Sequence, residues 1–236
     1  MPAEVMRESV LVPGASGALA GELVYPFDST KFATVLVNPH PHMGGHAGNM
    51  LLVRISDALA GDGGVVLSFD YSGVGRSEGP RVDIAESMSQ FWKTGVAPEE
   101  PRMVSDVRCA VTWLVETTSL PIILAGYSFG AYAATLALTE RVVGLLLISP
   151  IIARYDFSGL EKCLLPKMIV HGDEDFAAPE TQLDTWISRL PPPVEARCIT
   201  GEDHFFRGRE DEVAQVCRAF VRKVVWDKGD STGAGR

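Results

Sequence analysis

The chain has 236 residues, enough for one full-sized domain or two small ones and enough to bury a sizeable core. With 46% hydrophobic and 22% charged residues, the composition excludes a disordered or collagen-like chain. The net charge of -9 at pH 7 repels phosphate backbones and anionic lipid surfaces, so we expect no nucleic-acid partner.

No apolar run approaches the roughly 18 residues that a membrane-spanning helix requires, so the sequence predicts a soluble protein without a membrane span. The first ten residues carry Glu4, Arg7 and Glu8 and lack the apolar stretch of a secretory signal. A cytoplasmic location is therefore the expectation.

Short apolar runs rich in β-branched residues predict eight strands along the chain. The runs are Val10 to Val12, Leu19 to Val24, Ala33 to Val37, Val65 to Phe69, Ile122 to Ala125, Leu145 to Ile148, Met168 to Val170 and Val194 to Ile199. The first two are separated only by Pro13 to Ala18, a segment rich in Gly and Ser. This spacing predicts an antiparallel hairpin at the edge of the sheet.

Between the later strands, apolar residues recur at helical spacing. Continuous apolar strands that alternate with such helices are typical of a mostly parallel sheet with helices on both faces. The sequence thus predicts a single α/β domain over residues 1–226. Residues 227–236, where Gly, Ser and Asp replace the apolar pattern, are expected to form a flexible tail. The helical groups are Leu52, Ile55 and Leu59; Val104, Val107, Val111 and Leu114; Leu183, Trp186, Ile187 and Leu190; Val213, Val216, Cys217, Phe220 and Val221.

The pentapeptide GYSFG, Gly126 to Gly130, follows the fifth predicted strand and precedes a helix of small residues. A sharp strand-to-helix turn strains the central residue and brings the flanking backbones together, which explains a glycine two positions away on either side. Such a turn presents the Ser128 hydroxyl outward. The pattern alone is weak, because a plain tight turn has the same composition.

A serine hydroxyl becomes a good nucleophile only when a base accepts its proton and a carboxylate fixes the tautomer of that base. Of the five histidines, His204 follows the last strand and is expected at the sheet edge that also holds Ser128. Asp175, after the seventh strand, is the carboxylate that the chain order Ser, Asp, His favours. Asp173 and Asp203 are the competing carboxylates.

Four groups of motifs support this interpretation in chain order: NPHPHMGG, DYSGVGRSEG, GYSFG, and the pair HGDED and GEDHFF. From about Val35 to Val221 the chain resembles the α/β-hydrolase superfamily. It is similar to the small bacterial hydrolases that have an HPHPxxGG loop and a GADHFF-like histidine motif. The resemblance implies an α/β-hydrolase fold with a mostly parallel eight-stranded sheet. The family pattern G-x-x-D-x-x-x-P falls on Gly172, Asp175 and Pro179 and favours Asp175 as the acid.

The resemblance also implies an oxyanion hole made of two backbone N–H groups. One belongs to Phe129, the residue after the serine. The second comes from the loop after the third strand, where the paired glycines Gly44 and Gly45 indicate His42, with Met43 as the alternative.

Two segment lengths bear on access to the site. The 17 residues from Pro150 to Pro166 are too few for a large cap domain, so we expect an open site. Residues 80–102 form an insertion whose apolar residues share one helical face, which predicts a partial lid or, equally well, a helix packed on the core. Residues near the site that could line a substrate pocket are Met43, Tyr127, Phe176, Phe205 and Trp92.

We therefore predict a serine hydrolase that cleaves carboxylic esters of short to medium acyl chains through an acyl-enzyme intermediate, a carboxylesterase of class EC 3.1.1. A thioesterase or an amidase or peptidase would use the same machinery, and a non-catalytic binding protein of the same fold is a further alternative. No cofactor is implied. His40, His42 and His46 share a loop, but nothing completes a metal site at familiar spacing, so no metal is predicted. The partner is a small-molecule ester, and the protein is a monomer or a homodimer.

Overall fold

The computed structural model describes residues 4–226, so the tail predicted at residues 227–236 lies outside the described residues. Eight strands are present in this part of the chain, each at a predicted position. They are β1 (Val5–Gly14), β2 (Gly17–Pro26), β3 (Phe32–Val37), β4 (Gly64–Phe69), β5 (Ile122–Tyr127), β6 (Val142–Ile148), β7 (Lys167–Gly172) and β8 (Val194–Ile199).

The strands form one sheet in the order β1-β2-β4-β3-β5-β6-β7-β8. β1 pairs antiparallel with β2, and β2 pairs antiparallel with β4, so the predicted edge hairpin is confirmed. The remaining neighbours pair in parallel. Parallel strands end at the same edge of the sheet, and loops from different parts of the chain therefore converge there.

Six helices accompany the sheet in the described residues. They are α1 (Met50–Ala60), α2 (Ile84–Thr94), α3 (Glu100–Thr117), α4 (Phe129–Thr135), α5 (Glu180–Ile187) and α6 (Glu210–Trp226). α1 and α6 pack on one face of the sheet, whereas α3, α4 and α5 pack on the other. Successive residues of a strand point to opposite faces. In β3, Val35 and Val37 belong to the core beneath α3 and α4, while Leu36 belongs to the core beneath α1 and α6.

The segment between β6 and β7 contains only a short 3₁₀ helix at Ser158–Lys162, as expected for a chain without a large cap domain. The α/β-hydrolase fold with a mostly parallel eight-stranded sheet is thus confirmed. None of the helices in residues 4–226 is long and apolar enough to cross a bilayer.

Candidate active site

Ser128 occupies a strained turn between β5 and α4. Its φ of 59° and ψ of -120° lie in a region that side-chain-bearing residues rarely adopt. A Cβ at Gly126 would lie 2.2 Å from the carbonyl oxygen of Gly130, and a Cβ at Gly130 would lie 2.4 Å from that of Val37. Only glycine fits both positions, because the turn presses backbone against backbone.

The structure brings Ser128, His204 and Asp175 into one hydrogen-bonded chain. Ser128 Oγ lies 2.9 Å from His204 Nε2, and His204 Nδ1 lies 2.9 Å and 3.1 Å from the two carboxylate oxygens of Asp175. All three residues are buried. An ionised carboxylate only accepts hydrogen bonds, so Nδ1 carries the proton and Nε2 is left to accept the proton of the serine hydroxyl.

The two competing carboxylates bond elsewhere. Asp173 accepts from the backbone N–H of Gly201 at 2.7 Å, and Asp203 accepts from the N–H of Phe205, also at 2.7 Å. Burial alone would raise the pKa of Asp175. The hydrogen bond and charge of His204, together with the N–H of Ala177, outweigh this effect and lower that pKa, which keeps the carboxylate ionised.

Of the two loop amides considered as oxyanion donors, only the N–H of His42 lacks a short hydrogen bond within the protein. His40, Pro41 and Met43 form a tight turn in which the Met43 N–H donates to the carbonyl of His40 at 2.8 Å. The His42 N–H has only a long contact of 3.4 Å to Nδ1 of His40. Phe129 begins α4, and the first amide of a helix has no acceptor within the helix.

A cavity of about 320 Å³ opens onto the Ser128 and His204 side chains. Three of the five predicted pocket residues, Met43, Trp92 and Phe176, line it. Its walls are mainly apolar or aromatic, with one arginine among them. The lining residues that the sequence analysis did not name for the pocket are His40, Met88, Phe91, Ile151, Ala153, Arg154, Tyr155 and Ala177.

The other two pocket candidates lie outside this cavity. The side chain of Tyr127 points to the opposite face of the sheet, where its hydroxyl donates to the carbonyl oxygen of His204 at 2.8 Å. Phe205 lines a neighbouring cavity together with Arg207, whose guanidinium lies 4.8 Å from the ring centroid. Both residues follow or precede a site residue in sequence, and neighbouring side chains point in different directions. Tyr127 therefore supports the histidine loop instead of facing the cavity.

Helix α2 lies over the cavity and is not packed on the core. Its apolar residues Met88, Phe91 and Trp92 line the cavity, yet Met88 is 42% exposed and Trp92 78% exposed. Ser87 is its one buried residue. Ser128 itself is completely buried, although it lines the cavity.

Arg154 is the one arginine, lysine or acidic residue among the described lining residues that were not expected from sequence. It lies in the loop after β6, and its Cζ is 3.9 Å from the ring centroid of Phe91 in α2. No motif marks it. The one available signal was its place in a loop at the carboxyl edge of the sheet, where ligand-contacting residues of α/β folds concentrate. Across residues 4–226, no three His, Cys, Asp or Glu side chains lie together as a metal ion would need.

A mostly parallel eight-stranded sheet with a serine at a strained strand-to-helix turn defines the α/β-hydrolase class of proteins. A family model described as the alpha/beta hydrolase family matches residues 10–230, and the chain belongs to this family. An uncharacterized protein of Rickettsia prowazekii (strain Madrid E) is 26% identical over 220 residues, 88% of this chain and 86% of that protein.

Solved structures agree with this assignment. A structure described as an alpha-beta serine hydrolase homologue from Coxiella burnetii is 27% identical, with a TM-score of 0.76 over 90% of this chain and 96% of that one. A protein of unknown function from Agrobacterium tumefaciens is 25% identical, with a TM-score of 0.77 over 92% of this chain and 95% of that one.

Proposed function

We propose that the protein is a serine hydrolase that cleaves carboxylic esters of short to medium acyl chains through an acyl-enzyme intermediate. The observation that carries the proposal is the continuous hydrogen-bonded chain from Ser128 through His204 to Asp175. Each member has the chemistry that its step requires: a nucleophile, a base with a free acceptor nitrogen, and a buried carboxylate that orients the base.

In this mechanism Ser128 Oγ attacks the ester carbonyl while His204 Nε2 takes the hydroxyl proton. The imidazolium that forms is stabilised by Asp175 and gives its proton to the leaving alcohol. The amides of Phe129 and His42 are the proposed donors to the oxyanion, and Met43 is disfavoured because its N–H is already bonded to His40. Water then enters, and the same histidine activates it to release the acid.

The cavity supports the choice of a short or medium acyl chain. Its volume of about 320 Å³ is near the small end of the roughly 300 to 1,000 Å³ that ligand pockets span. Its largely apolar walls suit an alkyl or aryl group, and the burial of Ser128 limits its contact with bulk water. Because the same triad also serves thioester and amide cleavage, a substrate panel is required to separate these activities.

A fluorophosphonate probe tests the nucleophile directly. Wild-type protein should be labelled, and Ser128→Ala should not; Ser158→Ala, at an exposed position away from the cavity, is the matched control and should be labelled like wild type. Equal labelling of the Ser128 variant would contradict the assignment. A panel of 4-nitrophenyl esters, acyl-CoA thioesters and aminoacyl anilides then tests the ester preference. Turnover confined to thioesters would identify a thioesterase instead, and turnover confined to anilides an amidase.

A further inference from the structure

Arg154 places a positive charge in the wall of a mainly apolar cavity. It is the only Arg, Lys, Asp or Glu among the described residues that line the cavity over Ser128. Its guanidinium stacks on Phe91 at 3.9 Å and lies 5.5 Å from the ring centroid of Tyr155. A cation on an aromatic face is held in place by the ring quadrupole, and the stacking on Phe91 itself satisfies none of the in-plane N–H donors.

No acidic side chain of residues 4–226 forms an ion pair with Arg154 within 4 Å. Its Nε atom is buried and has no hydrogen-bond partner in the same part of the chain. The neighbouring carboxylate, Glu100, accepts a hydrogen bond of 2.8 Å from the Tyr155 hydroxyl. The charge of Arg154 interacts with the Glu100 carboxylate and with the Tyr155 hydroxyl, so these two groups already face part of the guanidinium. Buried donors normally have acceptors, and Nε is the donor that lacks one among the described residues.

The charge of Arg154 acts on the reacting end of the cavity. Burial is the main cause that lowers the pKa of His40 and of His42; the charge of Arg154 adds a smaller effect in the same direction, and at His42 the nearby Glu99 opposes it. These two residues belong to the loop that holds the proposed oxyanion amide of His42. Because Arg154 lines the same cavity as Ser128 and His204, its charge faces any substrate bound there.

We propose that the cavity selects esters that carry a second, free carboxylate, and that Arg154 binds this carboxylate. The proposal rests on the hydrolase function proposed above and names its substrate class. A carboxylate is the planar anion that matches the fork of guanidinium N–H groups, and such pairs strengthen when water is excluded. The free carboxylate lies on either the acyl chain or the leaving alcohol, and two substrate pairs distinguish these cases.

The first pair is the 4-nitrophenyl monoester of adipic acid and the 4-nitrophenyl ester of adipamic acid, which replaces the distal carboxylate with an amide of the same size. The second pair is 4-carboxyphenyl butyrate and 4-carbamoylphenyl butyrate. Spontaneous hydrolysis is subtracted, and kcat/KM is compared within each pair. Wild type should favour the carboxylate ester in at least one pair, by roughly 10- to 100-fold, the range expected for a hydrogen-bonded charge.

Arg154→Met should abolish this preference by lowering kcat/KM for each carboxylate ester to the level of its neutral partner, and Arg154→Lys should retain part of the preference. Arg207→Met is the matched control, because Arg207 also stacks on a phenylalanine but lines the neighbouring cavity. Its preference should equal that of wild type. Should Arg154→Met fail to fold, inhibition of wild type decides the matter: adipate should inhibit neutral-ester hydrolysis at a concentration at least roughly 10-fold lower than adipamide.

Turnover of all four esters by wild type without preference in either pair, or a preference that survives in Arg154→Met, would overturn the assignment of Arg154. Equal inhibition by adipate and adipamide would do the same. Failure of the proposed function has a different signature. In that case none of the four esters is cleaved, or cleavage persists in Ser128→Ala.

Discussion

The Nε2 atom of His40 lies 3.4 Å from Oε1 of Glu99, and both side chains are buried beneath α2. Nδ1 of the same imidazole faces the N–H of His42. A neutral imidazole in which Nδ1 accepts must carry its proton on Nε2, on the side of Glu99. Burial, helped by His42 and the charge of Arg154, lowers the pKa of His40 to about 3 despite the nearby carboxylate. His40 therefore stays neutral, and its Nδ1 remains an acceptor that faces the N–H of His42, the proposed oxyanion donor.

This relationship predicts how stability depends on pH. The pKa of His40 is about 3 in the folded protein against an ordinary value of 6.5, so the unfolded chain binds a proton first as the pH falls. Above pH 6.5 His40 is neutral in both states and takes nothing from the free energy of unfolding. Between pH 6.5 and pH 3 only the unfolded chain gains the proton, so the free energy of unfolding falls as the pH falls. From pH 7 to pH 4.5 the loss from His40 amounts to about 2 to 3 kcal/mol.

Urea unfolding of wild type and His40→Asn at pH 8.5, 7 and 4.5 measures this effect. Wild type should lose about 2 to 3 kcal/mol more than the variant between pH 7 and pH 4.5, because asparagine does not titrate. Between pH 8.5 and pH 7 the two proteins should change in parallel. Parallel behaviour over the whole range would show that His40 protonates in the folded state as readily as in the unfolded one.

The two aspartates of the HGDED segment provide a matched test of the orienting acid. Asp175→Asn removes the charge that stabilises the His204 imidazolium and should reduce kcat for ester hydrolysis by about 10³- to 10⁴-fold. Asp173→Asn keeps an oxygen that accepts from Gly201 and should reduce kcat by less than about 10-fold. Activity is measured with a 4-nitrophenyl ester. Comparable reductions of kcat in both variants would show that the loss comes from disturbance of the loop and not from removal of the Asp175 charge.

The elbow glycines predict a stability difference between two Gly→Ala variants. At Gly126 the new Cβ would meet the Gly130 carbonyl oxygen at 2.2 Å, and the backbone on both sides is fixed by β5 and α4. Gly126→Ala should cost about 3 kcal/mol or more, or prevent folding. At Gly159 a Cβ meets nothing within 4 Å, so Gly159→Ala should change stability by less than about 1 kcal/mol. Thermal unfolding of the two variants checks the contrast, and equal stabilities would contradict it.

Much of the fold could be predicted from sequence because its strands are buried on both faces. β3 is entirely buried, and its apolar run marks it along nearly its full length. β1 shows the limit of this signal: it runs from Val5 to Gly14, but only the run at Val10 to Val12 was visible. Most of its residues face solvent, so nothing in their hydrophobicity indicates a strand.

The site divides in the same way. Ser128, Asp175 and His204 each follow a recognisable strand, and strand ends in a parallel sheet meet at one edge. The direction of a side chain is a different matter. Tyr127 is the last residue of β5 and points to the face opposite Phe129, which sequence proximity to Ser128 does not reveal. Arg154 comes 26 residues after Ser128 without any motif, and only the packed loop places it over the cavity.

Trp92 tests whether α2 takes part in substrate binding. Its side chain is 78% exposed although it lines the cavity, so its removal should change stability by less than about 0.5 kcal/mol. A long acyl chain should lose apolar contact with the indole, worth about 1 kcal/mol or roughly 5-fold in KM. We therefore expect Trp92→Ala to raise KM for a 4-nitrophenyl hexanoate about 5-fold and to leave KM for the acetate nearly unchanged. Leu164→Ala is the control, because Leu164 is 74% exposed and does not line the cavity. If Trp92→Ala raises KM equally for both esters, the indole acts on the site as a whole and does not contact the acyl chain.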